Sequence, residues 1–325
     1  MKQLFKLTLK LALAAILIYW LVHTKKITAE PFVLLWATPW LTFLVLAVTL
    51  GLIIVNNYRW LLLLQGQRIH STTRQTLPLT FIGLFFNLAM PGAVGGDVIK
   101  AYYISQDQPG SRLRAATSVL MDRIVGLYAM TLLSLIAILT HLDRIMASNQ
   151  LKALALFIVA LTLGFTVFFI LGFSQSIRSH QWTDRVLKGI PGGRFVEKVY
   201  DVVHNYRHGK KQFGLGILLS LVVQSINILC FYIIGINLHY EVTLGALFFI
   251  VPLGMIAMAV PLSPGGVGVG QYVFLALFGW YGLSENLGPT LITIFQVVQA
   301  LLGLIGVPFY FMRKAPSTVN VAMAD

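Results

Sequence analysis

Residues 152–173, KALALFIVALTLGFTVFFILGF, carry a single charge, at their first position. A helix that crosses a membrane needs about 20 consecutive apolar residues, because each advances it by about 1.5 Å through a hydrocarbon core of about 30 Å. Further apolar runs lie near 7–23, 35–57, 77–90, 115–140, 213–236, 244–262, 269–283 and 289–312. None alternates with the period of two that a membrane barrel strand would show. The chain is 57% hydrophobic and 11% charged, with a mean hydropathy of +0.80, outside the range of ordinary soluble domains. The fold class is therefore an all-α polytopic membrane protein.

Positive charge orients the runs. Lys2, Lys6 and Lys10 place the N terminus in the cytoplasm, and Arg59, Arg68 and Arg74 place the end of the second run there too. The first run resembles a signal peptide but has no small-residue cleavage site before YWLVHTKK, so it is read as a retained first helix. Loop 174–212 is rich in Arg and Lys against only Asp184, Glu197 and Asp201, and is assigned to the cytoplasm. Runs 115–140 and 152–173 supply the two crossings needed between residues 74 and 174. Run 77–90 must then enter and leave by one face, turning at PGAVGG, which gives a re-entrant hairpin over 77–106. The same parity argument at the other end makes 244–283 a second hairpin, broken at PLSPGGVGVGQ and entering from outside.

Six transmembrane helices and two opposed hairpins then form an inverted-topology repeat with cytoplasmic termini. Its halves are 1–148 and 149–314, followed by a tail at 315–325. Gly/Pro-interrupted segments in corresponding positions of two halves point to a midplane transport site. Pro91, Gly92, Gly95 and Gly96 shape the first turn, and Pro261, Pro264, Gly265, Gly266 and Gly268 the second. Each return arm starts with unpaired backbone N–H groups, which attract anions.

Ionisable residues at membrane depth are costly and point to function. Asp97 is read either as an N-cap for the amides of Ile99 or Lys100, pairing also with Lys100, or, together with Lys100, as a group handling headgroup charge or a coupled proton. Asp122 and Arg123 point about 100 degrees apart on one helix and so reach different elements. Arg123 to Asp97 is a candidate contact, and a structural clamp is the plainer reading of the pair. Asn87, Ser263 and Gln271 complete the candidate path.

Other features point away from catalysis and cofactors. His204 and His208 have metal-ligand spacing but no third ligand. Phe195, Val199, Val202, Val203 and Tyr206 form an apolar stripe beside basic residues, expected to lie along the cytoplasmic membrane surface. GAVGGD lacks the GK[ST] ending of a P-loop. The lone Cys230 excludes an intrachain disulfide and reads as packing. A net charge of +13 falls at the ends of apolar runs, where it meets anionic headgroups, and no nucleic-acid motif is present.

NLAMPGAVGGDVIKAYY, TSVLMDRIVGLYAM and VPLSPGGVGVGQYVF, in this order and spacing, resemble the signatures of the lysylphosphatidylglycerol synthase transmembrane-domain family, also called the flippase-like domain family. The likeness spans nearly the whole chain. It implies a bacterial or archaeal cytoplasmic (inner) membrane protein. In the multiple peptide resistance factors this domain moves aminoacylated phosphatidylglycerol across the bilayer. Only about a dozen residues follow Arg313, so the chain is read as a stand-alone member without the aminoacyl-transferase domain. Lys100 stands where relatives often have arginine, which gives up fork-shaped phosphate binding. Gln271 stands where they often have glutamate, which removes any proton coupling or cation binding by that residue.

These features lead to a lipid translocase for an anionic or zwitterionic phospholipid, with membrane lipids as substrate, no cofactor, no metal and no nucleic acid. A homo-oligomer is left open. The alternatives are a non-transporting accessory or scaffold subunit and a membrane-embedded transferase acting on lipid-linked substrates.

Overall fold

The computed structural model describes residues 33, 36–89, 95–174, 203–260 and 265–313. The first apolar run, most of loop 174–212, the turn residues Pro91, Gly92, Pro261, Ser263 and Pro264, and the tail lie outside the described residues. Among those described, every regular element is helical. In chain order they are α1 (Pro39–Gly66), α2 (Thr73–Ala89), α3 (Gly95–Asp107), α4 (Arg112–Thr140), α5 (Leu142–Met146), α6 (Asn149–Phe173), α7 (Lys210–Asn237), α8 (Leu244–Met258), α9 (Val269–Tyr281), α10 (Leu287–Gly303) and α11 (Gly306–Met312).

Among the described residues five spans are long and apolar enough to cross a membrane: α1, α4 with the short turn before it, α6, α7, and α10 continued by α11. The protein is a polytopic helical membrane protein. The helices α2, α3, α8 and α9 are shorter, and α3 and α9, each 13 residues, extend only about 20 Å. Both short pairs fold back on themselves, α2 on α3 and α8 on α9.

The packing between elements is reciprocal. The first arm of one short pair, α2, lies on α10 and α11, whereas the first arm of the other, α8, lies on α4. The return arm α3 packs on α4, and the return arm α9 on α10. Between them, α1 and α7 run against each other.

In lipid, apolar surface gains little by leaving one apolar phase for another, so spans associate where small residues let backbones approach. Gly96 has no room for a Cβ against the backbone of Gly83, which presses α2 onto α3. Gly306 meets the backbone of Phe81 in the same way, which seats α11 on α2. Gly288 lies against the backbone of Phe274 and joins α10 to α9.

Two expectations are corrected here. The second span runs on to Gly66, nine residues past its expected end in the sequence IIVNNYRWLLLLQG, so Arg59 is a buried residue of α1 and not a loop charge. Val203 and Tyr206 do not lie along a membrane surface. Both are fully buried among Leu63, Met121, Phe169 and Phe213, because the chain entering α7 tucks under α1 and α6.

Candidate functional site

The face of α1 that carries Thr49, Leu52, Ile53, Asn56 and Arg59 follows helical spacing, and it turns toward α4 and α7 around a partly open cavity of about 290 Å³. Asp97 and Lys100 reach it from α3, Asn87 from α2, and Asp122 and Arg123 from α4. Residues scattered over the first 123 positions thus meet in one space.

Arg59 Nε donates to Asp122 Oδ1 at 2.8 Å, and its Nη1 donates to Ser220 Oγ of α7 at 3.0 Å. Arg123 Nε donates to Asp97 Oδ2 at 2.8 Å, joining α4 to the start of α3. Asp122 and Arg123 therefore do reach different elements, with Arg123 on Asp97. The ammonium of Lys100 stands 3.8 Å from Asp122 Oδ2 and 3.8 Å from the centre of the Trp60 ring, a cation–π position. Trp60 is held by donating from Nε1 to Ser118 Oγ at 3.0 Å.

The cap expected of Asp97 is supplied by a different residue. Helix α3 begins at Gly95, so Asp97 lies inside its first turn and its carboxylate goes to Arg123. The first-turn amide of Gly96, itself buried, instead donates to Asn87 Oδ1 at 2.7 Å, across the turn from the end of α2. Nor does Lys100 form an ion pair with Asp97; its ion pair is with Asp122.

The second short pair is closed in a similar way. Gly268 N donates to Gln271 Oε1 at 2.7 Å, while Gln271 Nε2 donates to Thr293 Oγ1 at 3.0 Å and Gln296 Oε1 at 2.7 Å. Gly265, Gly266 and Gly268 have φ of 58, 71 and 87 degrees, a left-handed backbone that a Cβ would strain. Gln271 hydrogen-bonds across this turn and is not among the residues that line the cavity.

Several cavity residues were missed in the sequence. Arg59 reads from sequence as a charge at the end of the second run, and Asn56, Gln224, Asn227 and Gln299 are not among the expected site residues. Their signal was present: each is a polar residue inside an apolar run, as in SLVVQSINILCF. His204 shares hydrogen bonds with the Gly172 carbonyl at 3.0 Å and with Arg207 at 2.6 Å, which ties it to α6. The side chain of His208 lies outside the described residues. No group of three or more His, Cys, Asp or Glu able to hold a metal ion occurs among the described residues.

The arrangement is suited to binding charge, with buried guanidinium and ammonium groups opening on a polar space inside an apolar helical shell. No solved structure matches the chain. Similar proteins include a UPF0104 membrane protein of Pyrococcus horikoshii, 23% identical over 79% of this chain and 82% of its own length. Two UPF0104 membrane proteins of Methanothermobacter thermautotrophicus are 21% and 20% identical, covering 80% and 82% of this chain and 80% and 85% of their own lengths. The family described as the lysylphosphatidylglycerol synthase TM region matches residues 7–306, and the chain belongs to that family.

Proposed function

We propose that the protein is a lipid translocase of the cytoplasmic membrane, in which a phospholipid head passes through the cavity while its tails stay in the bilayer. One observation carries this reading: a cavity of about 290 Å³ holds Arg59, Lys100, Arg123, Asp97 and Asp122 within a shell of apolar spans. Charges at such depth are expensive and are kept where they face a path or each other. Membership of a flippase-like family supports the same reading.

In this proposal the α2–α3 and α8–α9 pairs are re-entrant hairpins from opposite faces, and 1–148 and 149–314 are inverted repeats. The reciprocal packing supports it, since the first arm of each hairpin lies on the closing span of the other half. Rocking of the halves about the α1–α7 contact would expose the cavity to each leaflet in turn. Gly96 and Gly268, whose amides are taken by Asn87 and Gln271, keep the two turns rigid during that motion.

The test is headgroup accessibility of labelled phospholipids in proteoliposomes, with wild type beside Asp97→Asn. The neutral amide weakens the hold on Arg123, and a loss of about 1.4 kcal/mol at the barrier slows movement about tenfold. Movement at the wild-type rate by a normally folded Asp97→Asn protein would remove the charge role.

A further inference from the structure

Four carboxamides line the cavity without a hydrogen-bond partner among the described residues. They are Asn56 on α1, Gln224 and Asn227 on α7, and Gln299 on α10, all half-buried. They come from three spans and converge on one space. Gln224 and Asn227 share a face of α7 by their spacing of three. A polar group at membrane depth is tolerated where water or a ligand satisfies it, so these side chains are matched to something that enters.

The charges narrow what that is. Among the described residues the cavity holds three cations, Arg59, Lys100 and Arg123, against two carboxylates, Asp97 and Asp122, leaving one positive charge in excess. Each carboxylate already accepts from a guanidinium, Asp122 from Arg59 and Asp97 from Arg123. The Lys100 ammonium, 3.8 Å from Asp122, makes no hydrogen bond among the described residues, so its donors can serve a ligand.

Resting on the translocase reading, we infer that the head accepted here is a polyol or sugar phosphodiester: one negative charge for Lys100, and several hydroxyls for the carboxamides. A carboxamide offers both a donor and an acceptor, the complement of a hydroxyl, which also does both. A primary or quaternary ammonium head would meet an excess of positive charge, with both carboxylates occupied. A phosphate monoester would carry more negative charge than the cavity leaves unbalanced. The volume, about 290 Å³, stands at the small end of ligand sites and suits a glycerol- or hexose-sized head.

The experiment uses the full chain in proteoliposomes and in detergent, with tail-labelled phosphatidylglycerol, phosphatidylinositol, phosphatidylethanolamine, phosphatidic acid and an uncharged diglucosyl diacylglycerol. Both movement and binding are read, and binding of soluble glycerol phosphate to the lipid-free protein is measured beside them. Phosphatidylglycerol and phosphatidylinositol should move and bind at least about tenfold better than the other three, the discrimination of one or two hydrogen bonds. Asn227→Leu, close in shape and checked for folding by its melting temperature, should bring both down to the level of phosphatidylethanolamine. Equal handling of phosphatidylethanolamine and phosphatidylglycerol would overturn the polyol assignment and leave translocation standing. Preferred binding of the two polyol lipids with no movement would keep the assignment and overturn translocation. Binding of soluble glycerol phosphate to the lipid-free protein more tightly than either polyol lipid would identify a free phosphate ester, not a lipid head, as the ligand and overturn the proposal.

Discussion

Arg59 and Asp122, 63 positions apart in sequence, share a hydrogen bond of 2.8 Å inside the helical shell. The second arm of the same guanidinium reaches Ser220 at 3.0 Å, so one side chain ties α1, α4 and α7 together.

Removing one member of this pair leaves the other buried and unbalanced. Asp122→Asn is expected to destabilise the protein by about 3 kcal/mol, since Lys100 loses the same counter-charge. Thermal melting in detergent reads this. The double substitution Arg59→Gln with Asp122→Asn should melt higher than the sum of the single effects predicts. Simple additivity would mean that the pair is not coupled.

The close approach of α2 and α3 makes a second prediction. In Gly96→Ala the added methyl must displace the Gly83 carbonyl, an overpacking that costs about 1–3 kcal/mol or more where backbone has to shift. Gly51→Ala is the control, because nothing lies within 4 Å of its new methyl. It should be neutral or up to about 1 kcal/mol more stable, by helix propensity. Equal melting temperatures for the two variants would refute the packing argument.

Arg144, just past α4, donates from Nε to the Tyr281 carbonyl at 3.0 Å and so closes the C-terminal end of α9. Arg313, just past α11, pairs with Asp107 at the end of α3 and lies 4.6 Å from the centre of the Tyr103 ring. Each return arm is thus held at its far end by an arginine from beyond a span. Arg144→Ala should cost about 1 kcal/mol and speed amide exchange in the last turn of α9. Arg313→Ala should cost less, because its ion pair is open to solvent. Hydrogen exchange followed by mass spectrometry distinguishes the two ends.

Gln271→Glu tests the role of the second turn. A carboxylate still accepts from Gly268 N, but it cannot donate to Gln296 Oε1 as the present amide does at 2.7 Å. Gln296 would have to rotate its amide, giving up its bond to the Gly265 carbonyl at 3.4 Å. Expected are a loss of about 1–3 kcal/mol in melting experiments and no change in headgroup preference, since the residue lies outside the cavity. A changed preference would place Gln271 on the path after all.

The hydrophobic runs and the Gly/Pro interruptions were legible without coordinates, because both act through their immediate neighbours. Runs 115–140, 152–173 and 213–236 anticipate α4, α6 and α7 closely, and the two broken segments became two back-folded helix pairs. Parity of positive charge reached that arrangement even though it misread Arg59, because Arg68 and Arg74 follow the end of α1 and carry the same sign. Charge counting cannot tell a loop arginine from one drawn into the shell by a carboxylate far along the chain.

Partnership was a matter for the tertiary structure. Asp97 had an adequate local role as a cap, yet the amide at that helix start went to Asn87 and the carboxylate to Arg123. Gln271, too, has partners that its neighbours in sequence do not name: Thr293 and Gln296 of α10. In a low-dielectric interior a polar group binds whichever complement the packing brings within about 3 Å. Spans that touch through glycines 100 or more residues apart, such as Phe81 with Gly306, decide which complement that is. Local sequence sets where the chain crosses and turns; the approach of distant helices sets which charges meet.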